Sequence, residues 1–365
     1  MERRCMMNKT YLITLTPTGK FFFGGDMTFK VNGKDTEFTS YIIRSNKFPQ
    51  QTSLLGMLRF LVLRNDDAVF DSNTQSITNK LEASKKIGAS SFEVGKKGNF
   101  GYIESIGPCF LQVRKQSQWT DMQVAPKDAL LNVDFGKSCQ AVINGVLVEI
   151  PEMSYDSKEY YETSYLCGCC GKPTNESEIF KEDVCVGINR DIKTGKTEDN
   201  ALFKQVSYRF NNKDCQYRFA FYATVDENVP LASYDGQLVS VGGDSSQFVI
   251  GIKEVEPMVE RHESGTCVVL ESPAYLDNKD KKEDLKDVRF AITDIIPFKC
   301  MKTKTENVKS YNKRNLVEEY SDGLSLYDKG SVFYFKNKAG AEAFAKKLED
   351  RADFRQIGYN HYWIK

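Results

Sequence analysis

Histidine is scarce. Two occur in 365 residues, His262 and His361. Chemistry built on imidazole, whether metal binding or proton transfer near neutral pH, has little to draw on. An excess of one charge is also missing, because 50 Lys and Arg balance 50 Asp and Glu. That excludes a histone-like polycation and an acidic solvating tail. A local basic groove stays open, since a zero sum hides the distribution. No apolar run approaches the ~20 residues of a membrane helix. The best stretch, Leu54–Leu63, is interrupted by Arg59. Residues Met1–Met7 carry the charge of a signal-peptide start, yet the residues after them are polar and alternating rather than continuously apolar. A cytoplasmic chain without membrane contact is expected. The ten cysteines are scattered and partly adjacent, as at Cys169 and Cys170, which suits reduced thiols better than a secreted disulfide framework.

Fingerprints of catalysis are absent as well. There is no G-x-S-x-G, H-E-x-x-H or kinase set, and no GxxxxGK[ST] or GxGxxG phosphate loop. With so few histidines, a metal-free ribonuclease lacks its usual acid–base groups.

What is present is strand-rich. Tyr11–Thr18 alternates as a half-buried strand ended by Pro17. A glycine turn comes next at Lys20–Asp26, and the polar stretch from there to Lys47 reads as irregular loop. Phe48–Arg64 reads as a helix that Thr52 or Ser53 can cap. Its apolar face is Leu54, Leu55, Leu58, Leu61 and Val62, with Gly56 and Arg59 on another face. Residues 65–185 look like an insertion on a simpler core, and Pro151–Asp183 within it holds eight acids against three lysines. Residues 186–210 read as a long polar hairpin with Gly195 near its tip. Asn228 and Pro230 break the pattern, which places a domain boundary at 230/231. The second half holds strands at Leu238–Asp244, Thr266–Ser272, Phe290–Ile296, Val332–Phe335 and Gly358–Ile364. It also has a helix capped by Asn337 with Ala341, Phe344, Ala345 and Leu348 on its apolar face. Few helices packing on one face of many strands indicate an α+β fold in two units, 1–230 and 231–365.

Several residues stand out as binding candidates. Gly24-Gly-Asp26 is echoed by Gly242-Gly243-Asp244. Paired glycines serve tight turns or free backbone N–H groups for phosphate. Arg59, inside an apolar helix, needs an acceptor, either an internal salt bridge or a phosphate. The hairpin carries Asn189, Arg190, Lys193, Lys196 and Lys204, suited to a solvated edge or a probe into a groove. Lys299–Arg314 holds six basic residues and one acid around Tyr311, a linker or a contact for nucleic acid. Cys167 and Cys170 make a C-x-x-C-G-K knuckle, half of a zinc site. Cys185 is a candidate third ligand, and Cys139, Cys215, His262 or a partner chain the fourth. Without a second C-x-x-C, no metal or cofactor is assigned.

Taken together, the strand ending in Thr-Pro-Thr, the loop Phe22-Phe-Gly-Gly-Asp and Phe48-Pro-x-x-Thr-Ser-Leu-Leu-Gly-Met-Leu-Arg59 resemble the RAMP proteins of CRISPR effector complexes. The sequence is similar in particular to the type III-B (Cmr) subunits that hold the 5′ tag of the guide RNA. Val186-Gly-Ile-Asn-Arg-Asp-Ile-Lys-Thr-Gly195 with Leu202-Phe203 matches their central hairpin, and Gly242-Gly-Asp244 their second glycine turn. Met57 stands where that family has Ala in its helical signature, and Gln-Thr-Ser replaces its pre-helix triplet. The resemblance implies two ferredoxin-like (RRM-like) domains and a non-catalytic role. It implies binding of the crRNA 5′ tag and contact with the target duplex near that tag. It also implies two protein partners, the large polymerase/cyclase-like subunit and the first backbone RAMP subunit. Thr52, Ser53, Gly56 and Arg59 would then hold tag phosphates. Asn189, Arg190, Lys193, Lys196 and Lys204 would form a thumb, and Gly242 and Gly243 a backbone contact. Two rival readings are a guide-processing RAMP endoribonuclease dependent on His262 and a structural assembly protein that carries no RNA.

Overall fold

A computed structural model describes the chain from residue 8 to 365. Residues 26, 32–37, 116, 144–145, 157, 159–161, 191–192, 195–196, 243–245, 258–263, 277–284, 286, 303 and 306–318 are outside the description. Among the described residues strands dominate, and no helix is long and apolar enough to cross a membrane. The α+β expectation matches this architecture.

A nine-stranded antiparallel sheet forms the centre. Asn8–Pro17 lies between Gln216–Asp226 and Gln247–Val255, with Leu15 opposite both Phe219 and Ile250. Alternation aims Tyr11, Ile13 and Leu15 into the core. The far side of Gln216–Asp226 is extended by Phe110–Lys115, Gln118–Val124, Ser164–Cys167 and Pro173–Asn175, and Ile103–Ile106 pairs there too. The stretch 65–185 is thus not an insertion on a finished core. It supplies five of the nine strands, each too short to announce itself in the sequence.

Two other expectations are corrected by pairing. Leu238–Ser240 and Gln247–Val255 belong to this first sheet, which therefore runs across the boundary expected at 230/231. The stretch 26–47, expected to be loop, contains the strands Met27–Val31 and Phe38–Arg44. Phe38–Arg44 runs parallel to Thr197–Phe210, a partner far away in sequence, which stabilises it where local pattern does not. The hairpin of residues 186–210 is observed with longer arms, Phe180–Arg190 and Thr197–Phe210, joined by ten residue pairs from Phe180↔Phe210 to Arg190↔Thr197. Its Gly195 tip lies outside the described residues.

The helix α1, Gln51–Arg64, covers the sheet with Leu54, Leu55, Leu58, Leu61 and Val62 buried, as its periodicity indicates. Its start is corrected. Gln50 occupies the cap position without a side-chain hydrogen bond, and Thr52 and Ser53 lie inside the first turn. The tertiary contact of Gln51 accounts for the earlier start, because its buried side-chain amide donates to Gly107 O at 2.8 Å. A second, smaller core lies under the sheet of Val288–Ile292, Val332–Phe335, Cys267–Leu270 and Tyr362–Ile364. The helix Lys338–Asp350 packs on it through Ala341, Phe344, Ala345 and Leu348, and the Asn337 side chain accepts the Gly340 N–H at 2.9 Å. Phe298, Phe354, Ile357 and Tyr359 from this last third join the large core instead, which ties the two together.

Candidate nucleic-acid interface

Three loops and the foot of the hairpin converge where α1 begins. Phe21 exchanges backbone hydrogen bonds with Tyr208 of the hairpin, at 2.7 and 3.0 Å. The next two amides donate to serine hydroxyls, Phe22 N–H to Ser246 and Phe23 N–H to Ser45, each at 2.8 Å. Asn46 N–H then donates to Gly24 O at 2.6 Å, and Ser45 N–H to Val206 O at 2.9 Å. The two glycine turns thereby meet. Gly242 sits at φ 86°, and a Cβ there would lie 2.6 Å from Phe22 O. Positive φ and close approach both require glycine at this position. Gly243 lies outside the described residues. The chain leaves this junction through Lys47 and Phe48 into α1.

On α1, Thr52 and Ser53 are half-buried and Gly56 is exposed. A Cβ at Gly56 would meet nothing within 4 Å. Among the described residues no contact calls for glycine there, although glycine inside a helix costs about 0.5–1 kcal/mol relative to alanine. Arg59 faces elsewhere. Its guanidinium donates to Thr305 Oγ1 at 3.0 Å and to Gly88 O at 3.4 Å, and Thr305 also donates to Gly88 O at 2.7 Å. Two neutral acceptors within the chain thus face this cation.

The hairpin residues are distributed along an exposed arm. Lys193 and Lys204 are exposed, with Lys204 opposite Val186. The side chains of Asn189 and Arg190, and all of Lys196, lie outside the described residues. One feature escapes the sequence reading: Val184, Val186 and Ile188 are exposed along one side of the same strand. Their i, i+2 spacing is the signal, but in a strand that pattern ordinarily marks a buried face.

Beside the junction opens a cleft of about 680 Å³, lined by Arg44, Lys47, Phe48, Glu176, Tyr208 and Lys329 among others. Its cations face the chain's own acids. Lys47 pairs with Glu176 at 2.5 Å, Arg44 pairs with Glu182, and Tyr165 donates to Glu176 at 2.7 Å. The Lys329 ammonium stands over the Phe48 ring. Burial pulls its pKa down to about 8, while the charges of Glu176 and Asp328 act the other way. Burial opposes ionisation of Glu176 too, yet Lys329 and Lys47 outweigh it and hold that carboxyl below its ordinary value. The cleft is not legible in the sequence, because its members come from separated segments of the chain.

The remaining candidates fall elsewhere. His361 is built into the C-terminal sheet, where its backbone N–H donates to Ser272 Oγ at 3.0 Å. His262 and residues 306–314 of the basic stretch lie outside the described residues. Cys185 is exposed on the hairpin strand and is not among the cysteines that cluster.

A family model described as CRISPR-associated protein (Cas_Cmr3) matches residues 157–365, more than half of the chain. The chain is therefore a CRISPR-associated protein, and within that class it belongs to the Cas_Cmr3 family of type III-B (Cmr) effector subunits. In fold it is similar to a chain in the cryo-EM structure of the Type III-B Cmr-beta bound to cognate target RNA. The TM-score is 0.50 at 14% identity, covering 98% of this chain and 96% of that one. A chain in the structure of the same assembly with target RNA and AMPPnP, state 1, is similar with a TM-score of 0.49 at 14% identity, covering 97% and 96%. No curated protein matches the sequence.

Proposed function

We propose that this chain is a non-catalytic subunit of a type III-B CRISPR ribonucleoprotein, that it binds the 5′ tag of the crRNA, and that it bridges the large polymerase-like subunit to the backbone filament. The two helix-covered sheets are read as the two ferredoxin-like units expected of such a subunit. The observation that carries the RNA reading is Gly56, a solvent-facing glycine inside α1 with open space before it. A helix tolerates that cost when something outside the chain approaches its backbone. The first turn of α1 has no side-chain cap, and its N–H groups suit a phosphate. Recognition of this kind reads single-stranded RNA through phosphates, 2′-OH groups and splayed bases. The arm Phe180–Phe210 serves as the thumb. Its basic edge follows backbone, and Val184, Val186 and Ile188 offer an apolar wedge to a base step beside the tag. The cations of the cleft rim are exchangeable, since exposed ion pairs such as Arg44–Glu182 contribute about 0–1 kcal/mol.

Gly56→Glu tests this reading. Glutamate is a better helix former than glycine and meets no clash, so the RNA-free chain should keep or gain stability, by up to about 1 kcal/mol. The added bulk and negative charge should lower guide RNA retained by the assembled complex about tenfold, equal to roughly 1.4 kcal/mol. Filter binding at two salt concentrations measures it. Undiminished RNA in a folded, assembled variant would remove α1 from the interface.

A further inference from the structure

We propose that Cys167, Cys169 and Cys170 form a zinc-binding thiolate site at the outer edge of the nine-stranded sheet. Their sulphurs all lie within 4.8 Å of one another, with Cys167 and Cys169 at 3.1 Å. A Zn–S bond of about 2.3 Å places tetrahedral sulphur pairs about 3.8 Å apart, so a small rotation of the exposed thiols completes the set. The cysteines occupy one tight turn between Ser164–Cys167 and Pro173–Asn175. Gly171 N–H donates to Cys167 O at 2.7 Å and Cys170 N–H at 3.3 Å.

The surroundings also favour negative sulphur. Lys115 places its ammonium 4.0 Å from the Cys170 sulphur. Three thiolates on a divalent ion leave one negative charge, which this ammonium offsets. Soft thiolates select zinc over hard cations.

Cys169 and Cys170 are exposed. No other His, Cys, Asp or Glu among the described residues joins the group, and a water molecule takes the fourth position. Binding releases the thiol protons to solvent. The ion would fix the turn between the last two strands, which are joined by three residue pairs and end the sheet.

The test uses the full chain, purified under reductant and equilibrated with zinc chloride or cobalt(II) chloride. Elemental analysis should find about one zinc per chain, and the cobalt form should show thiolate charge-transfer absorption. The double variant Cys169→Ser, Cys170→Ser should lose both signals, while Cys185→Ser should keep both. The substituted thiols are exposed, so the variant retains its core, which circular dichroism verifies. Zinc absent from the wild-type chain, zinc retained in full by the double variant, or a Cys167–Cys169 disulfide persisting in reductant would each overturn the proposal.

Discussion

Gly358→Ala should destabilise the chain by about 2–5 kcal/mol, combining a left-handed backbone penalty with overpacking. Gly358 adopts φ 88°, and a Cβ there would lie 1.9 Å from Gln51 Nε2 and 2.4 Å from Gly107 O. Neither neighbour can yield cheaply. Gln51 is 4% exposed and already donates to that same Gly107 carbonyl. Three distant segments therefore meet at one point, and this point seats the first turn of α1. Displacing Gln51 would leave Gly107 O without its side-chain donor, and a buried polar group left unsatisfied costs about 1–3 kcal/mol. Urea unfolding of the RNA-free chain measures the loss. Gly56→Ala is the matched comparison on the exposed side of α1 and should move the midpoint the opposite way, because no described residue lies within 4 Å of a Cβ there. Equal midpoints for wild type and Gly358→Ala would show that the seam yields without cost.

Arg59→Glu should also destabilise the RNA-free chain, by about 2–4 kcal/mol. The lost charge-assisted hydrogen bonds contribute about 1.5–3 kcal/mol, and a carboxylate would then face oxygens. The guanidinium donates to Thr305, and Thr305 donates to Gly88 O. Thr305 N–H is fixed by Ala89 O at 2.9 Å. Arg59 thus fastens α1 to a segment more than two hundred residues later in the chain. Thermal or denaturant unfolding without RNA separates this role from phosphate binding. A variant of unchanged stability that loses only RNA would return Arg59 to the tag.

Much of the fold is legible wherever local pattern and final environment agree. Alternation and Pro17 mark the first strand, and the Leu-rich stripe marks the buried face of α1. Asn337 marks the start of the last long helix, as its hydrogen bond to Gly340 N–H shows. What escapes depends on partners remote in sequence. Phe38–Arg44 becomes a strand because Thr197–Phe210 lies beside it. The short strands between Ile103 and Asn175 become a sheet because Gln216–Asp226 offers them an edge. Thr52 and Ser53 have cap chemistry, but the cap falls at Gln50, and Gln51 fixes that earlier start through a tertiary hydrogen bond. The same holds for the site. The glycine turns, the α1 signature and the hairpin are visible as motifs, and only the fold shows that Gly242 packs against Phe22 and Phe23. The cysteine cluster requires the turn itself, which brings Cys169 into the set and leaves Cys185 on the hairpin.

The most direct measurement is recovery of the tagged chain from its native host, with sequencing of bound RNA and mass spectrometry of bound proteins. The account predicts short RNAs that share one repeat-derived 5′ tag, protected at that end, together with a large polymerase-like subunit and a backbone subunit. A chain recovered within its complex whose RNAs share no common 5′ end, or that carries no RNA at all, would contradict it.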